Sequence, residues 1–489
     1  MTKKLANKSA ILLPLVFVLV AGLAFVGVWL FSQLFIKPGE VTYDASLTDS
    51  EKSFLTNIFT EDTKLKNDVT ISAVTKNSPP GDDDDGLIYD ILVPIADFYY
   101  PGNDIDGASF NTENTDGIPT STNPDIRLIS LSDLTPDHKL LALDGNYFLD
   151  TLDSGAYYRV FNLDSKDQTE ARELITPHLQ VRPTDDTVLS FAQTGVIALS
   201  RAMAAKLSQV GDASYFAANI KDFLSSKDYT HTSNEASFSD SATSENICSK
   251  PEMLSALTAI GLDVVELTGN HNQDCGDEDA IKTIDIYKDN DIQVFGGGKN
   301  AAEAAEPAII DAKNTKITLL GYNLSTGGYT TDNTPGANFY TTEKAKTDIE
   351  SAKNNGDFVI VDVQFYECSE YDTASENTAC DAPVAGQTEL FHEIADLGAD
   401  IVIGTSAHQP QIYELYHDKP IYYGLGNLFF DQSWWPGTTR SLVLTHYFIN
   451  GKYTQTRISP TVYDGNFQPT LMDEETSRWF LARLGQSHR

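Results

Sequence analysis

Positive charge is what this chain has least of for its size. Lys and Arg number 34 against 70 Asp and Glu, a formal net charge of −36 over 489 residues. Such a surface repels phosphate backbones and anionic head groups, which excludes a nucleic-acid partner. Cysteine is scarce too: Cys248, Cys275, Cys368 and Cys380 are the four, and none forms a Cys-x-x-Cys pair, so a zinc knuckle is excluded. Gly296-Gly297-Gly298 lacks the Lys-Ser/Thr of a phosphate loop. Gly404-x-Ser406-x-His408 lacks the second glycine of a nucleophile elbow. No period of about 20–50 residues recurs strictly, so a repeat array is excluded.

Long apolar runs are also rare, with one exception. Ile11 to Ile36 carries no charge, and at about 1.5 Å per residue such a helix reaches roughly 39 Å, enough to cross a bilayer. Lys3, Lys4 and Lys8 precede it and only Lys37 closely follows, which keeps residues 1–10 cytoplasmic. A cleaved signal would end in small residues, whereas this run ends near Trp29-Leu30-Phe31. The expectation is a single-pass anchor in the cell membrane with everything after Lys37 extracytoplasmic. The four cysteines then face an oxidising compartment. Cys368 and Cys380 bracket a short polar loop and are expected to pair, leaving Cys248 with Cys275. Asp82-Asp83-Asp84-Asp85 follows Pro79-Pro80-Gly81 and reads as a solvated linker tip.

Residues 37–183 mix short apolar runs and turns, as in a small α/β domain with a weak likeness to a solute-binding lobe. "LIYDILVPIADFYYP" reads as one or two strands, and "ISLSDL" as a helix start. From 184 to 465 buried strands ("TVLSFAQ", "DVVEL", "KITLLGYN", "DFVIVDV", "ADIVIG") alternate with amphipathic helices. Gly261, Gly356 and Gly398 introduce three of those strands as helix C-caps. That alternation predicts an α/β sheet covered on both faces, with residues 466–489 as a tail.

Ligand chemistry in such sheets gathers at the carboxyl ends of strands. Those ends here carry Asn234 and Glu235; Asn270, His271, Asn272 and Asp274; Gln364 and Glu367; His408, Gln409 and Gln411; and Asn427. So many polar strand ends imply one pocket. Glu235 with His271 forms a candidate acid/base pair, and the others are candidate ligand-binding groups.

The ordered pieces "GNHN-x-D-x-G", "FGGG-x-N", "LLGYN", "GADIVIG-x-x-x-H-x-x-Q" and "GLGNLFFDQ" span about Val188 to Gln432. Together they resemble the CapA-type proteins of bacterial capsule and poly-γ-glutamate biosynthesis. The resemblance implies a calcineurin-like metallophosphatase fold, two β-sheets sandwiched by helices. It also implies extracytoplasmic work on a surface polymer, poly-γ-glutamate or a capsular polysaccharide, beside other capsule-synthesis membrane proteins. Three positions depart from the family pattern: Val196, Gln364 and Ser406 stand where it has Asp, His and His.

Two-metal hydrolysis needs ions about 3.5–4 Å apart, bridged by carboxylate and held by imidazoles. Val196 cannot bridge, and Gln364 and Ser406 are weak ligands. Glu235, Asn270 and His408 leave room for at most one divalent ion, and no other cofactor is expected. The leading expectation is therefore polymer binding or assisted transfer. A metal-dependent phosphoesterase with a reduced site and an extracytoplasmic solute-binding receptor are the alternatives.

Overall fold

A computed structural model describes residues 39–485, except 61–62, 64, 82–83, 112–113, 115, 325–326 and 369–378. The expected anchor and cytoplasmic tail lie outside the described residues, among which no helix is long and apolar enough to cross a membrane. Asp82 and Asp83 also lie outside them, while Asp84 pairs with Lys76.

The chain divides into two compact units. The first comprises the described parts of 1–91, 112–119 and 157–180. In it strand Val69–Lys76 pairs in parallel with Val41–Tyr43 and antiparallel with Tyr157–Asp164. Helix Asp49–Ile58 starts on a capping box of Thr48 and Glu51. Glu51 also receives two hydrogen bonds from the buried Arg159 guanidinium, at 2.6 and 2.9 Å. Leu55, Ile71 and Phe161 centre the apolar core.

The second unit holds residues 92–111, 120–156 and 181–489. Much of the stretch expected to form an N-terminal domain thus clusters with the C-terminal part. Hydrogen bonds explain it: Gln455 donates to Thr135 O and His138 O and accepts from Leu140 N. "ISLSDL" forms a strand end and a single 3-10 turn, Leu131–Asp133, because no apolar periodicity follows its Ser130 cap.

Two sheets dominate this unit. The first contains β1 (Val188–Ile197), β2 (Tyr229–Asn234), β3 (Leu262–Glu266) and β4 (Gln293–Phe295), all parallel. The second contains β5 (Ala308–Ala312), β6 (Thr315–Asn323), β7 (Phe358–Gln364), β8 (Ile401–Thr405), β9 (Tyr413–Tyr416) and β10 (Lys419–Tyr422), in the order β5-β6-β7-β8-β10-β9. β11 (Asn427–Phe429), β12 (Arg440–Ile449) and β13 (Lys452–Val462) return to the first sheet, β12 lying antiparallel to β1.

Alternation along the strands builds the layers. Leu189, Phe191 and Val264 face Ile317, Ile360 and Ile403 in a core shared by both sheets. Ala192, Ile197 and Val265 face helices α1 (Ala202–Val210) and α2 (Asp277–Asp289). Val359, Val361 and Val363 face α3 (Thr342–Asn354) and α4 (Gln387–Asp396). The result is helix, sheet, sheet, helix, a mixed α/β fold of several sheets. Gly261 and Gly356 take φ of 69° and 80° at the turns into β3 and β7, where a side chain would be strained. Residues 474–485 form a further helix, α5, rather than a tail: Phe480, Leu481 and Leu484 plug the core between the sheets.

Candidate functional site

Both sheets end their parallel strands on one polar cluster. β2 runs directly into Glu235, whose side chain is fully buried. Burial pushes the Glu235 carboxyl above the ordinary value, against the pull of His408 and His271. The loop after β3 brings Asn270, and Gly269 makes that approach possible, since a Cβ there would meet Glu235 Cα at 2.8 Å. β7 delivers Gln364 into the centre. Its Nε2 donates to Asn270 Oδ1 at 2.7 Å and to Ser406 Oγ at 3.1 Å, with Glu235 Oε1 at 3.4 Å.

The β8 loop supplies Ser406 and His408, both in left-handed backbone with φ of 75° and 55°. Such strain in two non-glycine residues is held by the surrounding packing and is a mark of built sites. His408 lies 2.8 Å from Asn427 Oδ1 through Nδ1 and 3.6 Å from Glu235 Oε2 through Nε2. Glu367 Oε1 is 4.0 Å from the same Nε2. His271 pairs with Asp274 at 2.8 Å, toward solvent.

Other expected site residues serve the loops. Asn234 closes on Ala236 through both amide atoms. Asn272 donates to Leu267 O at 3.2 Å. Gln409 donates to Asp381 Oδ1 and Gln411 to Ala382 O, so both secure the Cys380 segment instead of facing Glu235. Disulfides join Cys248 to Cys275 and Cys368 to Cys380, the two expected pairings. One staples the loop that carries Asn270 and His271, and the other closes the segment after β7.

Residues 190–432 match the family described as "Bacterial capsule synthesis protein PGA_cap". The chain is a CapA-type protein. It is 24% identical to "Capsule biosynthesis protein CapA" of Bacillus anthracis, over 61% of this chain and 73% of the relative. "PGA biosynthesis protein CapA" of Bacillus subtilis (strain 168) is 25% identical, over 56% and 71%. The structure of Haemophilus influenzae NAD nucleotidase aligns with 12% identity over 62% of this chain and 63% of that one, at a TM-score of 0.31, too distant to argue from.

In this CapA-type chain the donors do not fit a pair of divalent ions. Val196 packs with Ala198, Ala236 and Phe430 in an apolar cluster. Gln364 presents an N–H donor to Glu235, Asn270 and Ser406, the oxygens a cation would claim. One buried carboxylate and His408 leave too little negative charge for two ions.

The sequence reading missed a layer beneath the pocket. His231, Glu266 and Asp362 precede Glu235, Asn270 and Gln364 on β2, β3 and β7 and are fully buried. His231 Nε2 lies 3.2 Å from Asp362 Oδ2, and Gln193 donates to the same oxygen at 3.3 Å. Gln193 Oε1 accepts from His446 Nε2 at 3.0 Å. Burial pushes His446 down to about 3, and burial with Asp362 nearby pushes Glu266 well up. For Asp362 the available signal was a charged residue inside the apolar run of β7; His231 lies among the polar residues of β2 and gave none. Arg201 was also missed. It grips Asp431 beside the pocket through Nε at 3.0 Å and again through Nη2.

Proposed function

We propose that this CapA-type protein acts in capsule or polyglutamate synthesis by binding a surface polymer at the Glu235–Gln364 pocket and assisting its transfer. In this reading residues 11–36 anchor it, both units are extracytoplasmic, and the pocket sits on a calcineurin-like metallophosphatase fold. Family membership supports the pathway. One observation carries the binding role: the Gln364 amide fills the middle of a ring of oxygens. An uncharged amide there orients hydroxyl or amide ligands through paired donor and acceptor atoms. The test is complementation of a capsule-forming strain that lacks its own copy, with Glu235→Gln and Gln364→Leu. Surface polymer should fall several-fold while the protein remains at normal abundance. Undiminished polymer in both variants would refute the reading.

A further inference from the structure

Three loops that adjoin the Glu235–Gln364 cluster by contact or chain adjacency carry exposed aromatic rings. Tyr366 is 43% exposed and stands between Gln364 and Glu367. Trp434 is 56% exposed and shares the Arg201 guanidinium with Phe430, 6.0 and 5.5 Å away, while Phe430 touches the His408 ring at 4.9 Å. Phe339 is 43% exposed and packs edge-on against Tyr329 at 4.7 Å. Gly328, beside Tyr329, lies against Asn270 so closely that a Cβ would come within 3.0 Å of its Cα. Each arm thus runs by contact or chain adjacency from an exposed ring to a pocket residue. Exposed rings that adjoin a buried polar cluster are a candidate binding surface.

Inside, two buried atoms await partners. Glu235 Oε2 and Gln364 Oε1 have no hydrogen-bond partner among the described residues. A buried polar atom left unpaired costs about 1–3 kcal/mol, so a ligand that pairs it gains affinity. The partner must donate. A hydroxyl or an amide N–H donates, and a hydroxyl also accepts, so it pairs with Glu235 protonated or ionised. An ionised ligand carboxylate has no proton to donate to an ionised Glu235 or to Gln364 Oε1.

Charge argues the same way. Glu235, Glu367 and Asp274 border the site, and its basic groups are engaged: Arg201 by Asp431, His271 by Asp274, His408 by Asn427. A polyanion would bring like charge into a chain already at −36.

We infer that the pocket takes an uncharged sugar ring, its hydroxyls on Glu235 and Gln364 and its C–H face stacked on the aromatic rim. This rests on the polymer-binding reading above and names the ligand class within it. The C–H face of a pyranose is apolar and slightly positive, complementary to the negative face of an aromatic ring. A capsular polysaccharide and a cell-wall glycan both present such rings.

The experiment titrates the full-length protein with three probes: a neutral gluco-oligosaccharide, a β-linked N-acetylglucosamine oligomer and a γ-linked glutamate oligomer. Tryptophan fluorescence and saturation-transfer NMR read the binding. A neutral oligomer should bind with little salt dependence, and the tighter of the two names the source. Trp434→Ala and Tyr366→Ala should each weaken it on the order of tenfold, with melting temperature unchanged because both rings are exposed. Binding of the glutamate oligomer alone, neutral binding indifferent to both variants, or no binding by any probe would overturn the inference. The cellular loss of polymer in Glu235→Gln would still stand in those cases, so the two readings fail separately.

Discussion

Asn427 Oδ1 lies 2.8 Å from His408 Nδ1, and an amide oxygen can only accept, so Nδ1 carries the proton. Nε2, facing Glu235 Oε2 at 3.6 Å, is thereby fixed as the nitrogen that exchanges with the pocket. The Asn427 amide nitrogen is itself tied to Gln432 Oε1 and Thr438 O. The "GLGN" segment orients the histidine of a different sheet. Asn427→Leu should leave a buried N–H unpaired and cost about 1–3 kcal/mol in a denaturant midpoint, with ligand binding lost as well.

Elemental analysis of the purified protein should find no stoichiometric pair of zinc, manganese or iron ions, and chelation should leave its melting temperature unchanged. The triple change Val196→Asp, Gln364→His, Ser406→His should introduce the bridging carboxylate and imidazoles that two ions need, and metal should then raise the melting temperature. Two tightly held ions in the unaltered protein would contradict the donor geometry described above.

Stability should peak at an intermediate pH. Glu266 has its folded-state pKa raised well above 4.5, so its contribution is complete below that value and lost as pH rises toward the folded one. His446 is lowered from 6.5 to about 3, so its contribution is complete above 6.5 and lost as pH falls toward 3. Melting temperatures across this range should show Glu266→Gln flattening the alkaline limb alone, because Gln carries no charge to desolvate. An unchanged limb would mean that Glu266 is not buried as described.

Reduction should lower overall stability. Cys368–Cys380 closes a loop of sequence separation 12, worth on the order of 3 kcal/mol through the unfolded chain. Cys368→Ser with Cys380→Ser should lower stability by that order in a chemical denaturation curve, and non-reducing peptide mapping of the unaltered protein should recover the bridged pair.

Protease added outside intact cells should digest the chain after Lys37 and spare a short stub. Survival of both units would remove the extracytoplasmic assignment.

Strands and helices of the second unit were legible because their signals are local. "DFVIVDVQ" is rich in β-branched residues and apolar on the Val359-Val361-Val363 face, and Gly356 before it stops the preceding helix. The pocket was legible in part for the same reason, since Glu235, Asn270, Gln364 and His408 lie at or just after strand ends. Gln409 and Gln411 share that loop with His408, but which way each amide turns depends on Asp381 and Ala382, partners from a distant segment. Nor could spacing show that residues 120–156 dock on β13 through Gln455, a contact over more than 300 positions. The acid at Asp362 was visible inside its strand, yet its meaning lay in His231 across the layer.

Helix α5 has a consequence for how the chain is made. Phe480, Leu481 and Leu484 complete a core begun by Leu189 and Phe191, and Arg483 clasps Asp381, which also holds Gln409 of the His408 loop. Contacts of such sequence separation form late, because the loop between them must close first. A ribosome that has delivered everything up to β13 has therefore delivered the facing strands of both sheets with the three apolar side chains of α5 still missing from the core they share. A stop codon ahead of residue 474 would release a chain in which the part of that core covered by Phe480, Leu481 and Leu484 meets water.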